Sequence, residues 1–472
     1  MLALIFLFAY FVSFTDKPEK TTPQLSDRAV EQRQKWSIET DELDYPVSPM
    51  YIDSLRRMGV MIYHQSRWFN GVTCEMDEVK AAEVQALSFV TEVEMTRDDS
   101  APIYGLSKRL MPAASTLAEI ETSNTTDGQL QLYNLPPLHQ AGFKGQGILM
   151  TVCDGGFLNA NTMPCFRQTQ ELGHFDFTDD TDDFYGETGD HGTKCLSTIS
   201  ALTDEYNSAA PQASYYLMRS EEVENHRESP KEMDNLVVAL EKADSLGVNV
   251  FSVSLGYARF DNDAWTLDKT TDLDGKTTRA SRAATIAARK GMLVCVAAGN
   301  EGEKEWHTIS APADADSVLT VGAVDVEGAI GAFSSYGPSS DGRIKPDVCA
   351  VGVQASVMSP YGFPTYSNGT SFATPLLAGL AAALWSALPE ENAMQIRERI
   401  IRSSDRFTHP SSDRYGYGIP NAWKAYTMPT PMESVENVQT EETEKPRKVI
   451  RGEQVLIIRH GHIYNLAGQR VE

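Results

Sequence analysis

Four side chains of types that together can perform nucleophilic catalysis each lie where an apolar stretch begins or ends. In chain order they are Asp154, His191, Asn300 and Ser371. Serine is a weak nucleophile until a base takes its proton, and histidine supplies that base near neutral pH. A buried aspartate fixes the imidazole tautomer, and an asparagine amide can donate a hydrogen bond to an oxyanion. If the fold brings them together, they predict acyl transfer through a serine nucleophile.

The flanking residues indicate the element that carries each side chain. Asp154 ends an apolar strand, the end at which open α/β sheets bind ligands. His191 is followed by Gly-Thr and an apolar stretch, which predicts the first turn of a helix. Asn300 follows another apolar strand. Ser371 opens a long apolar helix, whose dipole and unpaired N–H groups favour a nearby negative charge.

Each of these residues alone also has a simpler interpretation. Asp154 could cap a tight turn, Asn300 could adopt a left-handed turn, and Ser371 could be an ordinary N-cap. The order Asp, His, Asn, Ser favours the catalytic interpretation over these three.

The surrounding motifs resemble those of the subtilisin-like (subtilase) serine peptidases over residues 130–426. The resemblance is carried by Val152-Cys153-Asp154-Gly155-Gly156, His191-Gly192-Thr193, Ser254-Leu255-Gly256, Ala298-Gly299-Asn300 and Gly369-Thr370-Ser371-Phe372-Ala373-Thr374-Pro375. It implies a secreted serine endopeptidase with Asp154, His191 and Ser371 as the triad. Asn300 and the backbone N–H of Ser371 would stabilise the oxyanion.

The resemblance also implies how a polypeptide substrate is held. One wall of the primary specificity pocket would bind the substrate backbone as an added strand, and a second wall would face it. The implied substrate-binding residues are Ser254, Leu255 and Gly256 on the first wall, and Ala298 and Gly299 on the second.

Three residues depart from the family pattern. Gly155 follows the aspartate where a hydroxyl residue is usual, Lys194 replaces a usual histidine, and Phe372 replaces the commoner methionine. None is a reacting group, so activity is expected. The alternatives are a catalytically idle subtilase fold used for binding and an esterase. The esterase is disfavoured because Ser371 lacks the Gly-x-Ser-x-Gly elbow.

The main domain is expected to be an α/β fold with a mostly parallel central sheet and helices on both faces, as in subtilisin. Nearly continuous apolar runs separated by helical patterns are typical of a parallel sheet covered on both faces. The predicted strands are 147–153, 248–255, 292–298 and 317–324, and the predicted helices are 234–246, 279–290 and 371–388.

A small α+β domain is predicted at 41–96, with two helices and three strands. It resembles the propeptide-inhibitor module of the same family, although a permanent accessory domain is an alternative. Residues 97–127 read as a linker in which propeptide cleavage would occur.

The apolar run Leu2 to Phe14 is shorter than the roughly 20 residues of a membrane span. It predicts a signal segment at 1–15, and hence export to the periplasm, outer surface or medium, with no transmembrane domain after its removal. Residues 16–36 read as an extended lead-in.

The chain has 472 residues and a formal net charge of -24, which disfavours nucleic acid as a partner. Its six cysteines lie mostly in apolar runs and favour buried thiols over disulfides. No cofactor is required by this chemistry. Seven acidic residues between Asp176 and Asp190 could bind Ca²⁺, but a solvated loop is the simpler interpretation.

The C-terminal part is expected to form a flexible spacer at 427–449 and a short tail at 450–472 with strand character. The last residues resemble the end of a secretion-sorting tail of the type IX kind.

Overall fold

The computed structural model describes residues 8–98, 126–178, 183–186, 189–222, 228–411 and 414–429, and the backbone of 447–451, 454–459 and 462–465. The chain divides into two compact units, 1–428 and 429–472.

The first part of the larger unit is a four-stranded antiparallel sheet with helices, in the strand order β2-β3-β1-β4. Its elements are β1 Phe8–Phe14, α1 Asp27–Lys35, α2 Pro49–Arg57, β2 Met61–Ser66, β3 Gly71–Met76, α3 Glu78–Gln85 and β4 Val90–Asp98. The two helices and three strands predicted at 41–96 correspond to α2, β2, β3, α3 and β4.

The structure corrects the predicted signal segment and the start of the small domain. Residues 8–14 form strand β1, which pairs with β3 and β4 in the middle of the sheet. Tyr10 and Val12 face the small domain's own core, whereas the Phe11 ring lies under Arg279 on the opposite face. A strand buried on both faces reads as a continuous apolar run, the pattern also expected of a signal segment. The predicted lead-in at 16–36 contains helix α1.

The rest of the larger unit is built on a seven-stranded sheet in the order β11-β10-β9-β8-β5-β7-β6, whose neighbours all pair in parallel. Its elements are α4 Asp127–Leu132, α5 Pro136–Gln140, β5 Leu149–Asp154, β6 Gln170–Asp176, α6 His191–Ser200, β7 Ser214–Arg219, α7 Pro230–Leu246, β8 Val250–Val253, α8 Arg279–Arg289, β9 Leu293–Ala297, β10 Leu319–Val324, β11 Val348–Val351, β12 Ala355–Met358, β13 Pro364–Ser367, α9 Thr370–Ala387, α10 Ala393–Ser403 and α11 Ala422–Thr427.

Helices cover both faces of this sheet, as predicted. Along β5, Met150 and Val152 join a core shared with α6 and α9, whereas Leu149 and Cys153 join a second core shared with α7 and α8. The four predicted strands and three predicted helices are present. Strands β6, β7 and β11 and the β12–β13 hairpin were not predicted. All six cysteines are buried and free.

Helix α9 is the one described helix long and apolar enough to cross a membrane, and 89% of its apolar window is buried within the unit. The smaller unit contains a three-stranded antiparallel sheet, whose strands are β14 Arg447–Arg451, β15 Gln454–Arg459 and β16 His462–Asn465. The first of these begins in the predicted spacer and ends in the predicted tail.

Candidate active site

Asp154 and His191 meet at the carboxyl end of strand β5. Asp154 is the last residue of β5 and His191 is the first residue of α6. The His191 Nδ1 atom lies 2.7 Å from Asp154 Oδ1, and the Gly155 N–H donates to the same oxygen at 2.8 Å. A Cβ atom at Gly192 would come within 2.5 Å of the Gly156 carbonyl oxygen, so glycine is what allows α6 to start this close to the strand.

The carboxylate controls the protonation of the imidazole. Burial disfavours the charged imidazolium, but the adjacent Asp154 carboxylate outweighs burial and holds the pKa of His191 well above its usual 6.5. The Cys195 Sγ atom is 3.8 Å from His191 Nδ1. Burial raises the pKa of this thiol, so it faces the imidazole as a neutral group.

Ser371 lies in the first turn of α9 and is 8% exposed. Its hydroxyl donates to the Ser254 carbonyl at 3.3 Å, and the Ser254 hydroxyl donates to the Ser371 carbonyl at 2.7 Å. Cys195 Sγ donates to the same Ser371 carbonyl at 3.3 Å. The start of α9 is therefore joined both to the end of β8 and to α6, the helix that carries His191.

Asn300 follows β9 and is oriented by Thr370. Its Oδ1 atom accepts hydrogen bonds from the Thr370 backbone N–H at 2.9 Å and from the Thr370 hydroxyl at 3.0 Å. The Thr370 hydroxyl also accepts from the Gly299 N–H at 3.2 Å. Because the amide oxygen of Asn300 already accepts two hydrogen bonds, its NH₂ group is the part that can bind another partner. Within the described residues the NH₂ group forms no hydrogen bond.

The predicted pocket walls follow two neighbouring parallel strands. Ser254, Leu255 and Gly256 come after β8, and Ala298 and Gly299 come at the end of β9. The pairing of these strands brings the two walls to the same edge of the sheet as Asp154 and Ser371.

Sequence reasoning missed Ser310, which lies between the two walls. Its Oγ atom would be 3.2 Å from a Cβ atom at Gly256 and 2.9 Å from one at Gly299. The side chain is 5% exposed, and its hydroxyl forms no hydrogen bond to any described residue. Ser335 Oγ would be 2.9 Å from the same Gly299 position. No local motif marks these loop serines; only the fold brings them here.

The three departures from the family pattern have separate consequences. With Gly155 in place of a hydroxyl residue, the second carboxylate oxygen of Asp154 is buried without a hydrogen-bond partner. Lys194 pairs with Asp190 at 2.7 Å, so its charge is met by a carboxylate. The Phe372 ring lies 5.6 Å from the His191 ring, between centroids.

The acidic stretch offers little to a cation where it is described. Asp176 accepts from Arg219 at 3.1 Å and from the Thr178 hydroxyl at 2.6 Å, and Asp190 holds Lys194. Four of the seven acidic residues lie outside the described residues: Asp179, Asp180, Asp182 and Glu187. Two groups of described residues could each surround an ion: Asp154 with His191 and Cys195, which is the site above, and Glu221 with Glu228 and Glu232.

Comparison with known proteins agrees with this geometry. The Subtilase family profile matches residues 145–418, and the Peptidase S8 propeptide domain of Bacteroidota matches residues 9–109. Subtilisin DY of Bacillus licheniformis is 32% identical over 286 residues, covering 59% of this chain and 91% of that protein. Serine protease AprX of Bacillus subtilis strain 168 is 28% identical over 309 residues, covering 59% of this chain and 66% of AprX.

The crystal structure of MycP1 from Mycobacterium smegmatis has the same fold, with a TM-score of 0.53 at 21% identity; the match covers 68% of this chain and 89% of that one. The chain belongs to the subtilase family of serine endopeptidases and carries an N-terminal propeptide domain. The propeptide profile includes most of β1, so the match starts well before the predicted boundary at residue 41.

Proposed function

We propose that this subtilase cleaves peptide bonds through an acyl-enzyme formed on Ser371. His191 takes the serine proton and returns it to the leaving amine, while Asp154 holds the imidazole and stabilises its charged form. Asn300 Nδ2 and the Ser371 N–H donate to the oxyanion. The observation that carries the proposal is the 2.7 Å pairing of Asp154 with His191 at the strand end that Ser371 also reaches.

A specific observation favours the idle-module alternative. The Ser371 hydroxyl is bonded to the Ser254 carbonyl and not to the imidazole. In enzymes without substrate, however, hydrogen bonds between nucleophile and base are often long or misaligned. Covalent labelling by a fluorophosphonate separates the two functions, because labelling requires an activated serine.

The test uses the full chain. We expect labelling and casein hydrolysis in the parent, loss of both in Ser371→Ala, and neither loss in the control Ser386→Ala, which lies at the other end of α9. A parent chain that neither labels nor cleaves casein after removal of the propeptide would favour the idle module.

Substrate would bind as an added strand along Ser254-Leu255-Gly256, with the residue on the amino side of the scissile bond entering between the two walls. The hydroxyl of Ser310 would form the floor of this pocket.

We also propose that the chain cuts itself between the propeptide domain and the catalytic domain. Strand β4 leads towards the carboxyl end of the sheet, because Arg97 pairs with Glu222, just beyond β7. The chain that follows β4 therefore starts near the catalytic end. Ser371→Ala should accumulate as the longer form, and added active enzyme should trim it within 97–127. Normal maturation of Ser371→Ala alone, in a host without other proteases, would contradict self-cleavage.

Export, calcium binding and a sorting role for the tail are further proposals. A propeptide domain delays the activity of a peptidase, which suits an enzyme that acts outside the cell and so supports export. Mass spectrometry of the termini of the secreted protein tests both export and tail processing.

Calcium has weaker support, because Asp176 and Asp190 are paired with cationic side chains. A chelator should lower the melting temperature if an ion is bound only by the folded chain; an unchanged melting curve leaves the solvated loop.

A further inference from the structure

Between β1 and α2 the chain leaves the small sheet and crosses to the opposite end of the catalytic sheet. We call residues 26–44, which include α1, the strap. The strap begins where the Ser26 N–H donates to the Ser245 carbonyl at 2.8 Å. From there it runs past the residues that immediately precede β5, β8 and β9. Its contacts are therefore made at the amino ends of these strands.

Arg28 joins two of these strands. Its guanidinium donates to the carbonyls of Gly247 and Gly147, each at 3.0 Å, and to Asn249 Oδ1 at 2.6 Å. The same Asn249 oxygen accepts from the Leu149 N–H at 3.0 Å, at the start of β5. One charged side chain of the strap thus binds three acceptors at the edge of the catalytic domain.

The catalytic domain has a glycine where the strap comes closest. Gly247 caps α7 with φ +72, and a Cβ atom there would lie 2.7 Å from the Ala29 backbone nitrogen. Glycine therefore serves both the left-handed cap and the approach of α1. Gly142 has a similar left-handed φ of +94 but nothing within 4 Å of its Cβ position, so it needs only the backbone freedom.

Buried ion pairs hold the second half of the strap. Arg33 binds Asp244 of α7 at 2.8 Å and Asp44 of the strap at 2.8 Å, and Lys290 after α8 binds Asp44 at 2.8 Å. None of the four side chains is more than 6% exposed. Burial opposes ionisation of Asp44, but the hydrogen bonds from Lys290, the Asp41 backbone and Arg33 outweigh it and hold its pKa below the usual value.

The strap is far from the residues that react. Asn249 precedes β8 and Ser254 follows it, so five residue-to-residue steps of about 3.3 Å each put about 17 Å between them. An element at this distance cannot occupy the substrate cleft. Its buried and charged contacts serve attachment to the catalytic domain.

We propose that the strap is a second anchor of the propeptide, and that the amino ends of β5, β8 and β9 form its binding site on the catalytic domain. The anchor keeps the propeptide bound after the linker is cut, so release of the strap is a separate step in activation. The physiological meaning rests on the proposed self-cleavage, but the binding site itself does not.

Cutting the linker with an unrelated enzyme tests the binding site of the strap independently of the proposed self-cleavage. In the full chain carrying Ser371→Ala, the recognition sequence of a site-specific endopeptidase is placed between residues 99 and 125, and the chain is immobilised through its C-terminus. After the cut, the rate at which the N-terminal fragment leaves the surface is measured. We expect slow release from this parent.

Two variants on opposite sides of the contact should speed release. Arg28→Ala removes charge-assisted hydrogen bonds and should speed it by about tenfold or more, with Arg28→Lys in between because an ammonium group cannot reproduce the planar fork. Gly247→Ala should also speed release through its clash with α1. The matched controls are Arg56→Ala, an exposed arginine of α2, and Gly142→Ala, which has the backbone strain without the clash.

Fast release from the parent, or parental rates in both Arg28→Ala and Gly247→Ala, would overturn the anchor. Should Gly247→Ala fail to fold, Arg28→Ala decides alone. Because the chain lacks the Ser371 hydroxyl throughout, the result stands whether or not the enzyme cuts itself.

Discussion

At the carboxyl ends of β5, β8 and β9 the chain places glycines, small residues and a few polar groups with unused hydrogen-bonding capacity. At the amino ends of the same strands it places Gly247, Asn249 and Lys290, each of which contacts the strap. The Asn300 NH₂ group and the Ser310 hydroxyl have no described partner, whereas Asp44 and Asp244 at the other end are enclosed by basic side chains.

The difference has an energetic reason. A polar group left unpaired in a closed site costs free energy until a ligand satisfies it, so open capacity suits a surface that must bind and release substrate. A buried charge pair gains little over an apolar contact but is costly to break from one side, so it suits a surface that must stay attached until a defined event. One end of the sheet is thus built for turnover and the other for retention.

Among the variants compared below, the largest loss of activity should follow from substituting Asp154 at the catalytic end of the sheet. Asp154→Asn preserves size but loses the charge that stabilises the imidazolium and favours the productive tautomer. We expect kcat to fall by about 10⁴-fold with the fold intact. Asp53→Asn on the exposed face of α2 is the matched control.

The same pair sets the pH dependence. The base works only as neutral imidazole, and the raised pKa of His191 means that the neutral form appears at higher pH than for an ordinary histidine. The acidic limb of kcat/KM against pH should therefore lie above 6.5, and in Asp154→Asn it should move down. A limb at the same pH in both proteins would contradict the assigned cause.

Asn300→Ala tests whether the unpaired NH₂ group of Asn300, at the catalytic end of the sheet, stabilises the transition state. Losing one oxyanion donor should lower kcat by about 10²- to 10³-fold with little change in KM. Asn262→Ala, which removes a half-buried amide that caps a short helical turn outside the site, should leave both constants at parental values. Parental kcat in Asn300→Ala would exclude the role.

The catalytic end was largely predictable from sequence because its residues must follow strands or open helices. Asp154, His191, Asn300 and Ser371 each lie at such a junction. What could not be predicted were contacts between distant loops: Ser310 reaches the pocket only through the fold, and Thr370 orients Asn300 from a helix 70 residues away.

The errors in the fold have identifiable physical causes. Strand β6 was missed because it lies at the sheet edge and is largely exposed, so it carries no apolar run. Strand β1 was misread because burial on both faces gives the apolar run of a signal segment. Helix α1 was misread because it binds through Arg28 and Arg33 and buries only Ala29 and Arg33, so it lacks the apolar stripe of a packed helix.

At the retaining end, Lys290→Met should affect stability. Removing one partner of a buried ion pair usually costs about 3 to 5 kcal/mol, and we expect about 2 to 3 kcal/mol because Asp44 keeps Arg33. Denaturant unfolding of the full chain carrying Ser371→Ala measures the loss without self-digestion. The exposed Lys276→Met is the control, and equal midpoints for the two variants would show that the Lys290 pairs contribute nothing net.

The smallest expected effect is at the pocket floor, where one oxygen atom separates two glycine-lined walls. Ser310→Gly removes both Cβ and Oγ, which deepens the space between Gly256 and Gly299. Adding or removing room for about one methylene changes selectivity by about 10-fold or somewhat more. We therefore expect kcat/KM for substrates with a large apolar residue before the scissile bond to rise about tenfold relative to those with alanine there.

The control is Ser340→Ala, which removes a hydroxyl that donates to an exposed loop carbonyl and should keep the parental ratio. If Ser310→Gly also keeps that ratio across alanine, leucine and phenylalanine substrates, the specificity pocket lies elsewhere. The unpaired Ser310 hydroxyl would then be a feature of local packing with no part in substrate selection.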